Sequence, residues 1–170
     1  MTLQPTADQT VGPFFRDGLV YPGDRHLVAP GTPGAIVLDG RVLDGAGDPV
    51  PDALIEIWQP DATGAIVREH GSRARRPGSF SGFGRCETDP EGWYAFTTLE
   101  PAGFFAVKVF ARGLLAVLDT RIYLPGSSNA FLDGLDPDRR ATLIAERTES
   151  GLRHDIRLQG DGETVFLALR

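Results

Sequence analysis

Phe104-Phe105-Ala106-Val107-Lys108-Val109-Phe110 is the stretch on which the reading of this chain turns. It is apolar, aromatic and β-branched, and it follows the breaker Pro101-Ala102-Gly103, so it reads as a central strand. Side chains alternate across a strand. Phe105, Val107 and Val109 therefore share one face, and Phe104, Ala106, Lys108 and Phe110 share the other. The first face is uniformly apolar. The second mixes aromatic rings with a small residue and a lysine, and the chain then runs into Ala111-Arg112-Gly113.

Short strands separated by turn chemistry extend outward from this one. Residues 35–43 read as a strand broken at Gly40. The Gly, Asp and Pro content of 44–49 predicts a turn, and 54–59 alternates as a second strand. Residues 67–85 read as a long arginine-bearing loop. Thr88-Asp89-Pro90-Glu91-Gly92 predicts a turn that launches a strand over 93–99. A further strand covers 120–124, stopped by Pro125-Gly126. Asp136-Pro137 is a helix start, with Asp136 as cap and Pro137 in the first helical position, and the helix is expected to run to about Arg147. Strands over 152–158 and 165–169 flank the turn Gly160-Asp161-Gly162. Strands this short and evenly spaced predict an all-β fold, a β-sandwich with one short helix. Residues 1–34 show no period. They carry Val11, Phe14, Phe15, Leu19 and Tyr21, which is too apolar for a free tail. The expectation is an ordered N-terminal arm over 1–34 that contacts a partner, and a sandwich domain over 35–170.

Composition narrows the function classes. A chain of 170 residues suits one domain with a full core, and 21 glycines with 13 prolines favour a turn-rich fold. The net charge of −6 argues against nucleic acid as the main partner. No apolar run is long enough for a bilayer, so no membrane partner is expected. No secretory leader is visible, and Cys86 is the single cysteine, which points to a reducing cytoplasm.

The candidate chemistry is sparse. His26, His70 and His154 stand too far apart to share one face of a strand or helical turn. Asp133, Asp136 and Asp138 lack the glycine and glutamate of a calcium loop. Cys86 follows Arg85, which could depress a thiol pKa; a lone cysteine is also a common small core residue. His154 and Asp155, as strand neighbours, point to opposite faces and form no dyad. Arg68, Arg73, Arg75, Arg76 and Arg85 make either a solvated loop or a funnel for small anions. Arg112 is either a strand-end residue in water or a rigid fork suited to a carboxylate. Gly12 and Pro13 either strap the arm down or let backbone approach a ligand closely.

The run 38–61, from Leu38-Asp39-Gly40-Arg41 to Trp58-Gln59-Pro60-Asp61, resembles the intradiol ring-cleavage dioxygenases. So do Phe83-Gly84-Arg85, Phe110-Ala111-Arg112-Gly113, Thr120-Arg121-Ile122-Tyr123, Thr142-Leu143-Ile144-Ala145 and the stretch 155–166. With Gln9-Thr10-Val11-Gly12-Pro13-Phe14, these resemble the α type of subunit and not the catalytic β type. The resemblance implies a β-sandwich and a heteromeric enzyme of the β-ketoadipate pathway. That enzyme cleaves protocatechuate with O2 to 3-carboxy-cis,cis-muconate. It implies Fe(III) held by the β subunit through two Tyr and two His. In this chain the matching positions are Ile66 for one Tyr and Phe104 and Ala106 for the two His, and the segment of the second Tyr, between Leu99 and Phe104, is shortened. The implied result is a chain with no metal and no catalytic residue of its own. Thr10, Gly12, Pro13 and Arg112 would line the substrate pocket of the β subunit, in a higher αβ oligomer. The tyrosine that usually follows the Gly-Pro pair is Phe14 here. A transthyretin-like binding module without an enzymatic partner is the alternative.

Overall fold

The computed structural model describes residues 6–12, 14–67 and 79–168. Nine strands and three short helical segments are present among them: α1 (Phe15–Leu19), β1 (Ile36–Leu43), β2 (Leu54–Trp58), β3 (Phe83–Glu87), β4 (Trp93–Thr98), β5 (Phe104–Phe110), β6 (Leu118–Tyr123), α2 (Ala130–Asp133), α3 (Pro137–Ala141), β7 (Glu146–Arg147), β8 (Gly151–Arg153) and β9 (Ile156–Arg157). One sheet has the order β4-β1-β8-β7, with β9 continuing beside β1, and the other has the order β3-β2-β5-β6. Their inner faces close on one core, in which Leu38, Val42 and Phe96 of the first sheet meet Ile55, Ile57, Phe105, Val107 and Val109 of the second. This is the all-β sandwich that the alternation predicts.

β5 lies in the middle of its sheet, antiparallel to β2 and β6. Its burial alternates as read from sequence, with Phe105, Val107 and Val109 at 0–1% exposure and the other face only half-buried. On the outer face, register aligns Arg85, Glu56, Lys108 and Asp119 in one row across all four strands. Arg85 Nη2 meets Glu56 Oε1 at 2.5 Å, and Lys108 Nζ meets Asp119 Oδ1 at 2.6 Å. This row divides the outer face in two. Trp58, Phe83, Phe104 and Ala106 lie on one side of it and Leu54 and Phe110 on the other.

The edges at β3, β4 and β6 are covered by other chain, which removes them as templates for unwanted pairing. Residues 24–28 run between the edges of β3 and β4. Arg85 N donates to Asp24 O at 3.0 Å, Leu27 N to Thr97 O at 2.8 Å and Thr97 N to Arg25 O at 2.9 Å. Leu27 is fully buried, and its side chain fills the space that a Cβ on Gly84 would need. The sheet-packed part of the chain therefore begins at Asp24, ten residues before the boundary placed at residue 34. At the other edge, Leu167 N donates to Asp119 O at 2.7 Å and Thr120 Oγ1 to Val165 O at 2.7 Å.

Several local expectations are corrected. The single helix to Arg147 is instead the five residues of α3; Asp136 makes no side-chain cap, and two other short helices, α1 and α2, exist. After Ala141 the chain runs alongside β6, with Tyr123 N donating to Leu143 O at 2.8 Å and Ala145 N to Tyr123 O at 2.9 Å. That placement buries Leu143 and Ala145. β3 begins within the last three residues of the stretch read as a long loop, so Arg85 is a strand residue. The loop arginines Arg68, Arg73, Arg75 and Arg76, with His70, lie outside the described residues. The last expected strand contributes only the bridge of Leu167 to Asp119, and Leu169 lies outside the described residues.

Gly40 does not break β1. It is the point where the chain beside β1 jogs. β8 pairs with β1 over Val37–Asp39 and β9 over Val42–Leu43. Between them the His154 carbonyl occupies the place of a Gly40 side chain and accepts a 2.6 Å hydrogen bond from Tyr94 Oη. The strand expected over 152–158 is thus two strands. His154 itself is 5% exposed; its Nε2 lies 3.0 Å from the Thr142 carbonyl and its Nδ1 is unpartnered. Burial pushes its pKa below the usual value of 6.5. The folded protein thus binds that proton less readily than the unfolded chain. The neutral ring's contribution is intact above pH 6.5 and is lost as pH falls from there through the depressed folded value. The unfolding free energy from urea titrations should decline over that window, with a slope of up to about 1.4 kcal/mol per pH unit. His154→Gln should flatten the decline; an unchanged slope in that variant would assign it to other groups.

Candidate functional site

The two ends of β5 carry the two groups of candidate residues. At its N-terminal end, Phe104 and Ala106 line an apolar cleft of about 340 Å³ with Trp58, Ile66, Val67 and Gly82. Trp58 and Phe83 stack at 4.4 Å between ring centroids, and Trp58 and Ile66 remain 49% and 69% exposed. Gln59 is the single polar side chain in the lining, and it is already engaged: its Oε1 accepts from Thr98 Oγ1 at 2.5 Å and its Nε2 donates to Leu99 O at 2.9 Å. Alkyl and aryl groups donate no lone pair to iron, and one neutral amide oxygen already accepting a hydrogen bond does not make a ligand set. The described residues of this cleft do not fit an iron centre. Among the described residues no group of three or more His, Cys, Asp or Glu is placed to hold a metal ion.

At the C-terminal end, β5 stops at Phe110 and the chain turns at Arg112-Gly113, with Leu114 N bonded to Ala111 O at 3.3 Å and Gly113 at φ +86°. The arm reaches this turn. Gly113 N donates to Thr10 Oγ1 at 2.7 Å, and Phe15 N donates to Gly12 O at 3.1 Å as the chain enters α1. Thr10, Gly12 and Arg112 are thus brought to one end of the molecule; Pro13 lies outside the described residues. The Arg112 side chain is 56% exposed and its Nε is ion-paired to Asp52, a partner that sequence reasoning missed.

The surroundings of Arg112 are apolar. Val11, Phe15, Phe110, Leu114, Leu115 and Val117 line a shallow cleft of about 280 Å³ beside it. The Phe15 ring rests on Phe110 at 5.4 Å. Phe14 and Leu115 stand 78% and 64% exposed. α1 is tied to the body by Arg85 Nη1, which donates to Leu19 O at 2.9 Å, and by Arg16 Nη1, which donates to Pro51 O at 2.5 Å and to Thr88 O at 2.7 Å.

Arg112 is out of reach of its own chain's apolar cleft. Ala106 and Arg112 are separated by roughly 20 Å of extended chain at about 3.3 Å per residue. Arg85 does not activate Cys86. The thiol is fully buried, burial pushes its pKa up to about 11, and the guanidinium is spent on Glu56. Cys86 is a core residue.

Comparison with known proteins follows the same lines. A family model described as a dioxygenase matches residues 24–125. The protocatechuate 3,4-dioxygenase alpha chain of Pseudomonas putida is 34% identical over 197 residues, with 96% of each chain covered. The protocatechuate 3,4-dioxygenase beta chain of Burkholderia cepacia is 44% identical over 70 residues, which is 41% of this chain and 30% of that one. Among solved structures, the dioxygenase domain of a dioxygenase carbohydrate-binding protein fusion from Streptomyces sp. SirexAA-E superposes with a TM-score of 0.58 at 29% identity, covering 91% of this chain and 96% of that one.

Proposed function

Since this chain belongs to the intradiol ring-cleavage dioxygenases, with near full-length likeness to protocatechuate 3,4-dioxygenase alpha chains, we propose that it is the non-catalytic α subunit of such an enzyme. It completes the substrate pocket of an iron-bearing β subunit that cleaves protocatechuate with O2. The observation that carries this reading is the division of labour along β5. The family's metal positions Ile66, Phe104 and Ala106 form an apolar cleft, while Arg112 is offered about 20 Å away, where no metal position of this chain can use it. The Fe(III) chemistry of the family therefore belongs to the partner, and no step of it is routed through this chain.

The residues at the Arg112 end have separate tasks in this reading. Phe14 and Leu115 supply apolar area to the β subunit. Thr10 and the Gly12-Pro13 backbone, continuous with the pinned arm, form a wall beside the bound ring. Arg112 presents its guanidinium to the carboxylate of the substrate, the anionic group that distinguishes protocatechuate from bare catechol. Phe14 offers no hydroxyl, so its contribution is apolar contact alone. An arm that contacts the β subunit, a higher αβ oligomer and a cytoplasmic location are parts of the same proposal. The near full-length likeness to alpha chains weighs against a free-standing transthyretin-like module.

Co-expression with a β chain, followed by oxygen uptake on protocatechuate, tests the proposal. Activity should require both chains, and the isolated chain should carry no iron by metal analysis. Iron bound by the isolated chain, or a failure to associate with any β chain, would overturn it. Arg112→Ala in the assembled enzyme should raise KM for protocatechuate roughly ten-fold, the loss of one charge-assisted hydrogen bond of about 1.5 kcal/mol. An unchanged KM removes Arg112 from the pocket.

A further inference from the structure

We propose that Asp52 is the positioning residue that holds Arg112 ready for a carboxylated ring. The inference rests on the reading of Arg112 given above and adds the residue through which that reading is realised. Arginine presents its donors along distinct edges of a planar fork. Asp52 takes the Nε edge. The Nη edge is left for a second carboxylate, the geometry in which two parallel hydrogen bonds form. The burial of the two partners differs in the same sense: the Asp52 side chain is 11% exposed and the Arg112 side chain 56%. The acid is a fixed point in the protein wall, and the cation reaches from it toward the surface.

The platform under Asp52 is tightly held. Thr88, which is fully buried, donates its hydroxyl to Val50 O at 2.7 Å and accepts from Ala53 N at 3.0 Å, so both sides of Asp52 are tied to the end of β3. Arg16 Nη1 donates to Pro51 O on the same loop. Among its attachments the arm therefore joins both partners' supports, Thr10 to the turn that carries Arg112 and Arg16 to the loop that carries Asp52. An exposed arginine loses several rotatable bonds' worth of freedom when it binds a ligand. Fixing Nε beforehand removes most of that cost from the binding step.

The test uses the assembled enzyme and four variants: Asp52→Ala, Asp52→Asn, Arg112→Ala and the double alanine variant. Asp52→Ala should raise KM for protocatechuate about five-fold, the size expected when one long side chain must be ordered at binding, with kcat unchanged. The inhibition constant of catechol, which has no carboxylate, should not move. Asp52→Asn keeps the shape of the side chain but removes the charge that pairs with Nε, and should raise KM less than Asp52→Ala does. In the Arg112→Ala background, Asp52→Ala should add nothing, because it acts only through the arginine. Effects that multiply in the double variant, or an equal loss of catechol affinity, would mean that Asp52 merely supports the loop and would overturn the proposal. So would an unchanged KM in Asp52→Ala beside a raised KM in Arg112→Ala. If neither single variant raises KM, it is the reading of Arg112 itself that fails, and that result is distinct from the others.

Discussion

Gly40→Ala should destabilise the chain by about 2–6 kcal/mol, although it adds a single methyl group. The new Cβ would stand 1.8 Å from the His154 carbonyl oxygen and 2.6 Å from its carbonyl carbon, so backbone and not a flexible side chain has to move. Overpacking of this kind costs about 1–3 kcal/mol. The displaced carbonyl also leaves Tyr94 Oη, at 1% exposure, without its acceptor, a loss of about 1–3 kcal/mol more. At about 2–4 °C per kcal/mol for a chain of this size, the melting temperature should fall by roughly 10 °C. Gly12→Ala is the control: nothing lies within 4 Å of its Cβ position, and stability should hardly change. A melting temperature for Gly40→Ala within about 2 °C of the parent would mean that the jog between β8 and β9 is not the constraint on β1.

Phe105→Ala should cost a similar amount, about 3–5 kcal/mol, by the opposite route of an emptied core. Phe105 is fully buried on the inner face of β5 and belongs to the main core cluster, with β2 and β6 on either side. Its neighbours in the sheet are held by ladder bonds on both sides and cannot collapse into the space. Phe105→Leu should recover most of the loss. Phe104→Ala on the outer face should cost less than Phe105→Ala, since that ring is only half-buried against Tyr123 and Arg121. Urea midpoints of the three variants decide it, and equal losses at 104 and 105 would contradict the inside-outside assignment of the strand.

The alternation of β5 was legible because both of its faces have a consistent environment along the whole strand. The turn at 88–92 was legible too, since Asp89 Oδ1 accepts from Glu91 N and Trp93 N and the left-handed position falls on Gly92. What failed depended on distant chain. β3 looked like loop because Gly84 lowers its strand preference, yet that glycine exists to admit Leu27 from residues 24–28. The helix over 137–147 was overextended because the chain turns after Ala141 and bridges to Tyr123 of β6 at Ile144, a contact with remote chain that the local sequence does not announce. At the site, Thr10 and Arg112 were nameable from the family resemblance. Asp52 was not, because an aspartate after proline reads as turn chemistry, and its partner is remote in sequence.

The row Arg85–Glu56–Lys108–Asp119 has a consequence for how the second sheet finds its alignment. On the inner face, Ile55 and Ile57 would meet Val107, Val109 or Phe105 almost as well after a slip of two residues, since apolar contact is tolerant of which aliphatic group it touches. The same slip would place Glu56 opposite Ala106 or Phe110 and leave Lys108 facing Trp58 or Leu54. Glu56 would keep Arg85 and Lys108 would keep Asp119, since those pairs span β3–β2 and β5–β6, but each charge would face an apolar side chain across the β2–β5 seam instead of an opposite charge. Hydrophobicity thus selects the face of β5, and the juxtaposition of Glu56 with Lys108 favours its offset, which sets where along the sheet the turn bearing Arg112 emerges.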